Sequence, residues 1–340
     1  MTIDMPAMVV VGGCFGDEGK GKIVSYLAMK DKPSATVRGG VGPNAGHTVV
    51  YEGRSYKLRM LPSAILSKQT RLMIGAGVLI NPNVLLDEIK TFGVSSRILI
   101  DSQCSIIEDV HIEQDKGGYL KEKIGTTGSG TGPANSDRVL RIAKIAKDIK
   151  SLKSYVGDVS LEVNRLIDDG AFVILEGTQG TFLSLYHGTY PYVTSKDVTA
   201  SAICSDVGVG PKKVSDVLIV FKSYLTRVGE GFLPGELGEE EAIKRGWREV
   251  ATVTGRVRRS APFNFELAER AVMLNSATQI ALTKLDILFP DARGMTHFGD
   301  LPKDAKSFVK SIEDSLKLPV SIIGTGPEVF DIIDRRVQLS

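Results

Sequence analysis

Short apolar runs alternate with longer amphipathic segments along most of the chain. The apolar runs predict buried strands at residues 8–13, 71–75, 97–100, 172–177, 214–222, 279–286 and 319–324. Apolar positions at helical spacing predict helices at residues 22–30, 82–91, 134–149, 160–168, 198–205, 239–246, 263–275 and 303–317. This alternation indicates an α/β fold with a large, mostly parallel central sheet, helices on both faces and loop insertions. Because no linker or internal repeat divides the sequence, we expect residues 1–340 to form a single domain.

Glycine is enriched, with 36 residues in the chain, and it falls in discrete clusters rather than in low-complexity sequence. The clusters lie at residues 12–21, 39–46, 125–132, 177–188, 208–210, 229–238 and 324–326. Several follow predicted strand ends, and parallel sheets bind ligands beyond the carboxyl ends of their strands. We therefore expect these loops to converge on one extensive site, although a tight turn would explain any single cluster equally well.

Composition excludes several classes of protein. The net charge of +2 is too small to predict nucleic-acid binding. The three cysteines are far apart, so they form neither a disulfide framework nor a C-x-x-C metal site. No apolar run reaches the roughly 18 residues of a membrane span, and no secretory segment opens the chain. We expect a reduced, cytoplasmic, soluble protein that binds neither nucleic acid nor membrane.

The stretch GGCFGDEGKGK, residues 12–22, has the spacing of a phosphate-binding loop between a strand and a helix. Its match to a Walker A motif is imperfect, because Ile23 stands where a Ser or Thr hydroxyl would meet Mg²⁺. Asp17 and Glu18 also place two negative charges where phosphates would lie. A Mg²⁺ ion on Asp17 would resolve this conflict, with Lys20 and Lys22 balancing the phosphate charge. Alternatively, the two acids only complement the helix dipole.

Two further stretches carry single residues suited to chemistry. His47 lies in the glycine-rich RGGVGPNAGHTV, where an imidazole can donate or accept a proton near neutral pH; the alternative is a surface-loop histidine. Asp286 closes the string LTKLD after a predicted strand. Its carboxylate could accept two N–H bonds from guanine, which adenine cannot supply, or it could simply cap a helix.

The run TVTGRVRRS, residues 252–260, follows a Thr/Gly turn with Arg256, Arg258 and Arg259. Guanidinium groups bind carboxylates and phosphates in pairs, which favours a loop for a small dicarboxylate or a phosphate. The alternative is a solvated basic run. Residues 125–134 and 175–195 are dense in Gly, Thr and amide groups, and Gln179 among them offers neutral donors to a phosphate or a purine.

Taken together and in order, these stretches identify a family. They are GDEGKGK at 16–22, NAGHT at 44–48, TTGSGTGPA at 126–134, EGTQGTFL at 176–183, HGTYPYVTS at 187–195, TGRVRR at 254–259, LTKLD at 282–286 and TGP at 325–327. Over most of its length the chain resembles the adenylosuccinate synthetases, in a form shorter than typical bacterial members. The resemblance implies a ligase that makes adenylosuccinate from IMP and L-aspartate. GTP becomes GDP and phosphate in this reaction, 6-phosphoryl-IMP is the intermediate, and Mg²⁺ is the cofactor.

The resemblance also implies roles for residues at matching positions. Asp17 is the base and a Mg²⁺ ligand, His47 is the acid, Lys20 and Gln179 assist, and the Gly46 carbonyl is a second Mg²⁺ ligand. Implied GTP contacts are Gly16, Asp17, Glu18, Gly19, Lys20, Gly21, Lys22, Gly46, His47, Thr48, Arg258, Lys284, Leu285, Asp286, Gly324, Thr325 and Gly326. Implied IMP contacts are Asp17, Lys20, Asn44, Ala45, Gly46, His47, Thr127, Arg141, Gln179, Thr194 and Arg256. Implied aspartate contacts are Thr252, Val253, Thr254, Gly255 and Arg256, with Val253 replacing a usual threonine.

A homodimer is implied as well, in which Arg141 reaches the IMP phosphate of the partner subunit. In the predicted helix 134–149, Arg138, Arg141 and Lys144 share a face, which a solvated helix surface would also explain. Two alternatives stay open for the whole chain. One is a GTP-binding switch protein without ligase chemistry, and the other is a ligase that phosphorylates a different acceptor.

Overall fold

The computed structural model describes residues 7–250 and 255–339. Within them, ten strands form one sheet in the order β17-β16-β15-β11-β1-β10-β2-β5-β7-β9, and only the β16–β17 pair is antiparallel. These strands are β1 (Ala7–Gly12), β2 (Ala35–Arg38), β5 (Arg71–Ile74), β7 (Ile98–Asp101), β9 (Val156–Gly157), β10 (Val173–Glu176), β11 (Asp216–Lys222), β15 (Gln279–Thr283), β16 (Val320–Gly324) and β17 (Ile332–Asp334). The predicted α/β fold with a mostly parallel sheet is confirmed.

Three small sheets surround the central one, and the sequence did not predict them. They are the hairpin of β3 (His47–Tyr51) and β4 (Arg54–Leu58), the pair of β6 (Leu79–Ile80) and β8 (Ser105–Ile106), and an antiparallel sheet of β12 (Tyr224–Arg227), β14 (Val257–Pro262) and β13 (Glu249–Val250). Their strands are short or half-exposed, so they lack the apolar runs that mark the buried parallel strands.

Helices cover both faces of the central sheet. They are α1 (Lys20–Asp31), α2 (Pro82–Phe92), α3 (Asp109–Asp115), α4 (Thr131–Leu140), α5 (Val159–Asp168), α6 (Ala200–Val207), α7 (Glu239–Lys244), α8 (Phe265–Asn275), α9 (Leu285–Leu288), α10 (Lys303–Leu316) and α11 (Arg336–Leu339). Alternate residues of β1 enter two separate cores: Val9 belongs to the core that includes residues of α5, α6, α8 and α10, and Val10 belongs to the core that includes residues of α1 and α2. No helix of the described residues is long and apolar enough to cross a membrane.

Local sequence explains where several helices begin. The side chain of Asn81 accepts a hydrogen bond from the Val84 amide at the start of α2, and Asp158 and Asn264 cap α5 and α8 in the same way. Gly93 ends α2 with a φ of 62°. These caps set the boundaries of three helices that the apolar pattern located only approximately.

Two predicted elements end earlier than expected. The predicted helix 134–149 stops at Leu140, because Arg141 adopts a φ of 67° and the following chain pairs with the segment around β8. There the Ile106 amide donates to the Lys144 carbonyl at 3.0 Å, so Arg138, Arg141 and Lys144 do not share one helix. The predicted strand 279–286 ends at Thr283, where α9 begins after Lys284. That residues 1–340 form one domain stays a prediction.

Candidate active site

A cleft of about 1100 Å³ opens where the loops after β1, β10, β12 and β15 converge. Every predicted glycine cluster except 208–210 contributes to its lining. Most of the candidate residues face it: Gly16, Asp17, Gly19, Lys20, Gly21, Lys22, Asn44, Ala45, Gly46, His47, Thr48, Thr127, Gln179, Thr194, Arg256, Arg258, Lys284 and Gly326. The structure therefore brings together loops that lie up to about three hundred residues apart in the sequence.

The turn between β1 and α1 contains an anion of its own. Glu18 is 2% exposed, and its Oε1 accepts hydrogen bonds from the backbone amides of Cys14 at 3.0 Å and Gly16 at 2.8 Å. Its Oε2 accepts a bond from Lys20 Nζ at 2.8 Å, and Lys20 also donates to the Gln179 carbonyl. Glu18 thus binds amides of the kind that hold a phosphate in other strand–loop–helix turns. The motif pattern did not predict this internal role.

Asp17 points the other way, towards the cleft. It has a φ of 61° and a side chain that is 25% exposed, and its Oδ2 lies 2.9 Å from Nε of Arg258. The alignment of these atoms is too poor for a hydrogen bond, so the contact is an ion pair. The two acids of the loop therefore differ: Glu18 is structural, and Asp17 is available to a ligand.

Arg258 is oriented by a partly buried acid, Glu249, that sequence reasoning missed. Nη1 of Arg258 and Nζ of Lys222, at 3.1 Å, both donate to Oε2 of Glu249, and the Tyr224 hydroxyl donates to Oε1. This cluster joins β11, β12, β13 and β14 and directs Arg258 at Asp17. The only signal in the sequence was the position of Glu249 just before the run TVTGRVRRS.

A second missed acid holds His47. Nδ1 of His47 lies 2.5 Å from Oε1 of Glu176, at the carboxyl end of β10. The same carboxylate accepts bonds from Arg38 Nη1 at 3.1 Å, from the Ser63 amide at 2.7 Å and from the Ser63 hydroxyl at 2.6 Å. Because Glu176 accepts the proton of Nδ1, Nε2 is the ring nitrogen left for a ligand. The signal for Glu176 was its place at the end of a predicted strand.

Burial and the neighbouring Arg38 lower the pKa of His47 from 6.5 to about 4. Burial alone would raise the pKa of Glu176, but its hydrogen bond from His47 and the charges nearby hold that pKa well below the usual range. The pair is therefore an ionised Glu176 and a neutral His47 in the ligand-free protein. For His47 to donate a proton from Nε2, the ring must first gain one as anionic ligands bind.

Strained backbone and unpaired polar atoms occur together at this cleft. Among the described residues, eight non-glycine residues have positive φ, and three of them line the cleft: Asp17, Gln179 and Lys284. Buried side-chain oxygens without a hydrogen-bond partner include Oδ1 of Asn44, Oε1 of Gln179 and Oδ1 of Asp286. Strained backbone and orphaned acceptors are costly to folding, so their coincidence indicates a place built for a ligand.

The segment proposed to bind the nucleotide base lies beneath one end of the cleft. Leu285, Asp286, Gly324 and Thr325 are buried and do not line the open space. Lys22, expected to balance phosphate charge, instead donates from Nζ to the carbonyls of Gly326 at 2.5 Å and Asp331 at 2.8 Å. The orphaned Oδ1 of Asp286 is the acceptor that this end of the cleft leaves available.

The remaining candidate residues differ in whether they face the cleft. Arg256 donates to the Thr126 carbonyl at 2.6 Å and faces the cleft, whereas Arg259 is used by Glu236 and by loop carbonyls. Gly255 is exposed, with a φ of 67°. Thr252, Val253 and Thr254 lie outside the described residues. Arg141 is exposed and does not line the cleft of its own chain.

The geometry around His47 predicts its titration. In the ligand-free, metal-free protein, NMR should give His47 a pKa of about 4, and Glu176→Gln should lower it further because the carboxylate favours the imidazolium. The unfolded chain binds more protons between pH 4 and 6.5, so the stability that His47 contributes is complete above that window and lost as pH falls through it. A pKa near 6.5, unchanged in Glu176→Gln, would contradict the arrangement.

Comparison with known proteins supports the resemblance to the adenylosuccinate synthetases. A model of the family described as adenylosuccinate synthetase matches residues 9–151 and 141–292. The chain is 54% identical to the adenylosuccinate synthetase of Thermococcus onnurineus over 98% of this chain and all of that protein. It is 56% identical to that of Methanocaldococcus jannaschii over 97% of each. A fully ligated adenylosuccinate synthetase from Plasmodium falciparum superposes with a TM-score of 0.91, at 26% identity over 97% of this chain and 99% of that one.

The matches extend over nearly the whole chain and over nearly the whole of these relatives, so they are not confined to a shared nucleotide-binding loop. The cleft contains the motifs on which the resemblance first depended. The chain therefore belongs to the adenylosuccinate synthetase family.

Proposed function

We propose how this cleft performs the family's reaction, the joining of IMP and L-aspartate into adenylosuccinate as GTP becomes GDP and phosphate. The chain is a GTP-dependent ligase of purine biosynthesis. The observation that best supports our assignment of roles is that Asp17, His47, Lys20 and Gln179 line one cleft. Asp17 is paired with Arg258, which is bonded to Glu249, and His47 is paired with the buried Glu176.

In the first step, a carboxylate oxygen of Asp17 accepts the N1 proton of IMP, and the negative charge moves to O6. O6 then attacks the γ-phosphorus of GTP, so that the O6–P bond forms as the bond to the β–γ bridging oxygen breaks and GDP leaves. In the second step, the amino group of aspartate attacks C6 and the C6–N bond forms as the C6–O bond breaks. One proton of the amine is transferred to the departing phosphate. Arg258 forms an ion pair with Asp17 and orients its carboxylate in the cleft.

Neighbouring groups position the purine and the charge that develops on it. His47 presents Nε2 because Glu176 occupies Nδ1, and it becomes a donor to the reacting oxygens once it gains a proton. Gln179 offers a side-chain amide with an orphaned Oε1. Asn44 donates to the Thr194 hydroxyl at 3.2 Å and keeps its own Oδ1 unpaired, which suits contact with IMP.

We assign the remaining substrates to the ends of the cleft. Thr127 and Arg256 lie with the loops proposed for IMP, and Thr252–Arg256 is proposed for aspartate. GTP is proposed to lie along Gly16–Lys22 and Gly46–Thr48, with its base at Lys284–Asp286 and Gly324–Gly326. Asp286 supports the choice of guanine because it has a buried, unpaired oxygen, the acceptor that the N–H groups of guanine require.

The residues present fit a Mg²⁺ ion that is bound mainly by substrate. Asp17 offers a partly exposed carboxylate and Gly46 a backbone carbonyl on the same cleft, and we propose these as the protein ligands. No group of three or more His, Cys, Asp and Glu in the described chain could hold a metal by itself. Mg²⁺ commonly binds through one or two carboxylates plus phosphates, and when bound it neutralises phosphate charge.

A homodimer is proposed from the surface around Arg141. The side chains of Val139, Leu140 and Ile142 are 70%, 63% and 67% exposed, an apolar patch that an isolated subunit leaves in water. Arg141 is exposed in their midst and does not reach its own cleft. A two-fold dimer would bury the patch and deliver each Arg141 to the IMP phosphate of the partner.

A GTP-binding switch without ligase chemistry is the less favoured alternative. It would need a hydroxyl at position 23, which is Ile23, and it leaves the His47–Glu176 pair and the Arg258–Glu249 pair without a purpose.

The function is tested by phosphate release from GTP in the presence of Mg²⁺ and aspartate, with and without IMP. We expect IMP-dependent release with stoichiometric adenylosuccinate, read from its absorbance. Asp17→Asn should lose turnover by at least about a hundredfold, because an amide cannot take the N1 proton, while its melting temperature stays close to that of the wild type. GTP turnover that is indifferent to IMP, or normal activity of Asp17→Asn, would refute the assignment.

The shared site is tested by mixing two inactive variants. Asp17→Asn and Arg141→Ala should each be nearly inactive, yet after subunit exchange one site of every mixed dimer carries neither defect. Random 1:1 mixing makes half of the dimers mixed, so activity should return to about a quarter of the wild-type value. No recovery in fully exchanged mixtures would show that Arg141 acts within its own chain.

A further inference from the structure

Lys22 ends the phosphate loop, and its ammonium group is bonded to backbone carbonyls at one end of the cleft. Nζ donates to the carbonyl of Gly326 at 2.5 Å and to the carbonyl of Asp331 at 2.8 Å. The side chain is 8% exposed, so these bonds replace most of its hydration. A buried ammonium with two carbonyl partners is a fixed connection between α1 and a loop about three hundred residues further along the chain.

The loop that Lys22 holds, residues 324–331, follows β16 and folds back on itself. The Thr325 amide donates to the Asp331 carbonyl at 2.9 Å, and the Glu328 amide donates to Oδ2 of Asp331 at 2.9 Å. A side chain at Gly326 would meet Oδ2 of Asp331 at 2.3 Å. The Val329 amide donates to the Val50 carbonyl at 2.8 Å, which ties the loop to β3. Lys22 therefore holds both ends of a closed turn.

This turn follows the strand next to the one that leads to Asp286, whose Oδ1 has no hydrogen-bond partner. Leu282 of β15 is paired with Ile323 of β16, and a side chain at Gly324 would meet Cα of Thr283 at 3.4 Å. The Gly294 amide donates to the Thr325 carbonyl, and the Thr325 hydroxyl donates to the Met295 carbonyl at 2.8 Å. These contacts position the loop on the side away from α1. On the α1 side, the loop is held by the hydrogen bonds of Lys22 and by an edge-to-face contact between the rings of Tyr26 and Phe330.

We propose that Lys22 is a positioning residue for base selection: it locks the 324–331 loop beside Asp286 so that the two form the walls of the guanine pocket. The proposal rests on the proposed function, in which these segments bind the base of GTP. It replaces the simpler interpretation, that Lys22 neutralises phosphate charge. A pocket selects one base by its shape only if its walls are rigid, because a mobile wall allows a different purine to bind in a shifted position.

The two interpretations differ in how they affect guanine and adenine nucleotides. GDP and ADP have the same phosphates, so the loss of a phosphate contact weakens both by the same factor. The loss of a loop contact weakens GDP more than ADP, because only GDP uses the ordered pocket. The quantity to measure is the ratio of the inhibition constants of ADP and GDP, each competing with GTP in the full enzyme.

Lys22→Met keeps most of the aliphatic stem and removes the donors. We expect it to lower the ratio of the inhibition constant of ADP to that of GDP by about tenfold, which corresponds to the loss of one or two hydrogen bonds. Asp331→Ala loosens the same turn from the other side, without a change near the phosphates, and should lower the ratio in the same direction. Lys22→Arg, which retains charge and donors, should recover part of the selectivity. Thermal melting of each variant establishes that the enzyme being assayed is folded.

Several outcomes would overturn the proposal. If Lys22→Met raises both inhibition constants equally and leaves the ratio unchanged, Lys22 acts on phosphate. If Lys22→Met does not fold, an unchanged ratio in Asp331→Ala is sufficient to reject the positioning role. If the wild-type enzyme does not prefer GDP to ADP, the base pocket itself is misassigned and the proposed function fails at that point, separately from the role of Lys22.

Discussion

The carboxylate of Glu18 holds the turn on which the active site is built. In many strand–loop–helix sites the free amides of the turn await a phosphate, but here Glu18 satisfies the amides of Cys14 and Gly16 and pairs with Lys20. The turn is therefore complete before any nucleotide binds. Its neighbour Asp17 is left with a positive φ and an open carboxylate on the cleft side. Two adjacent acids, which look like a conflict in a phosphate loop, divide into one structural anion and one reactive group.

The same arrangement recurs deeper in the site. Glu176 orients His47, and Glu249 orients Arg258. Each of these carboxylates also accepts hydrogen bonds from other donors, Ser63 in one case and Lys222 in the other. Such networks stabilise buried charges, because their hydrogen bonds replace the hydration that is lost on burial. Arg258 forms an ion pair with Asp17, and His47, whose Nε2 is left for a ligand, lines the same cleft. Preorganised charge of this kind is what a transfer between a nucleotide and a purine oxygen requires.

Sequence reasoning identified Asp17, His47 and Gln179, which line the cleft, because they lie in motifs whose residue types point to their chemistry. It missed the acids behind them, since Glu176 lies 129 residues from His47 and only the folded sheet brings them together. It did not foresee that Lys22 donates to two backbone carbonyls, and its contact with GTP stays a prediction. The helix around Arg141 was predicted too long because its apolar pattern continues, whereas pairing with the chain near β8 ends it. Propensity identified the elements, and long-range pairing set their limits.

The claim that Glu18 is the built-in anion of the loop is open to a direct measurement. In Glu18→Ala the amides of Cys14 and Gly16 and the Lys20 ammonium lose their partner, and a small carboxylate from solution can take its place. The melting temperature of Glu18→Ala should therefore rise with added formate by several degrees more than that of the wild type, with chloride at equal ionic strength as the control, and part of the lost activity should return. Equal shifts in the two proteins, or a variant that formate does not affect, would contradict the account.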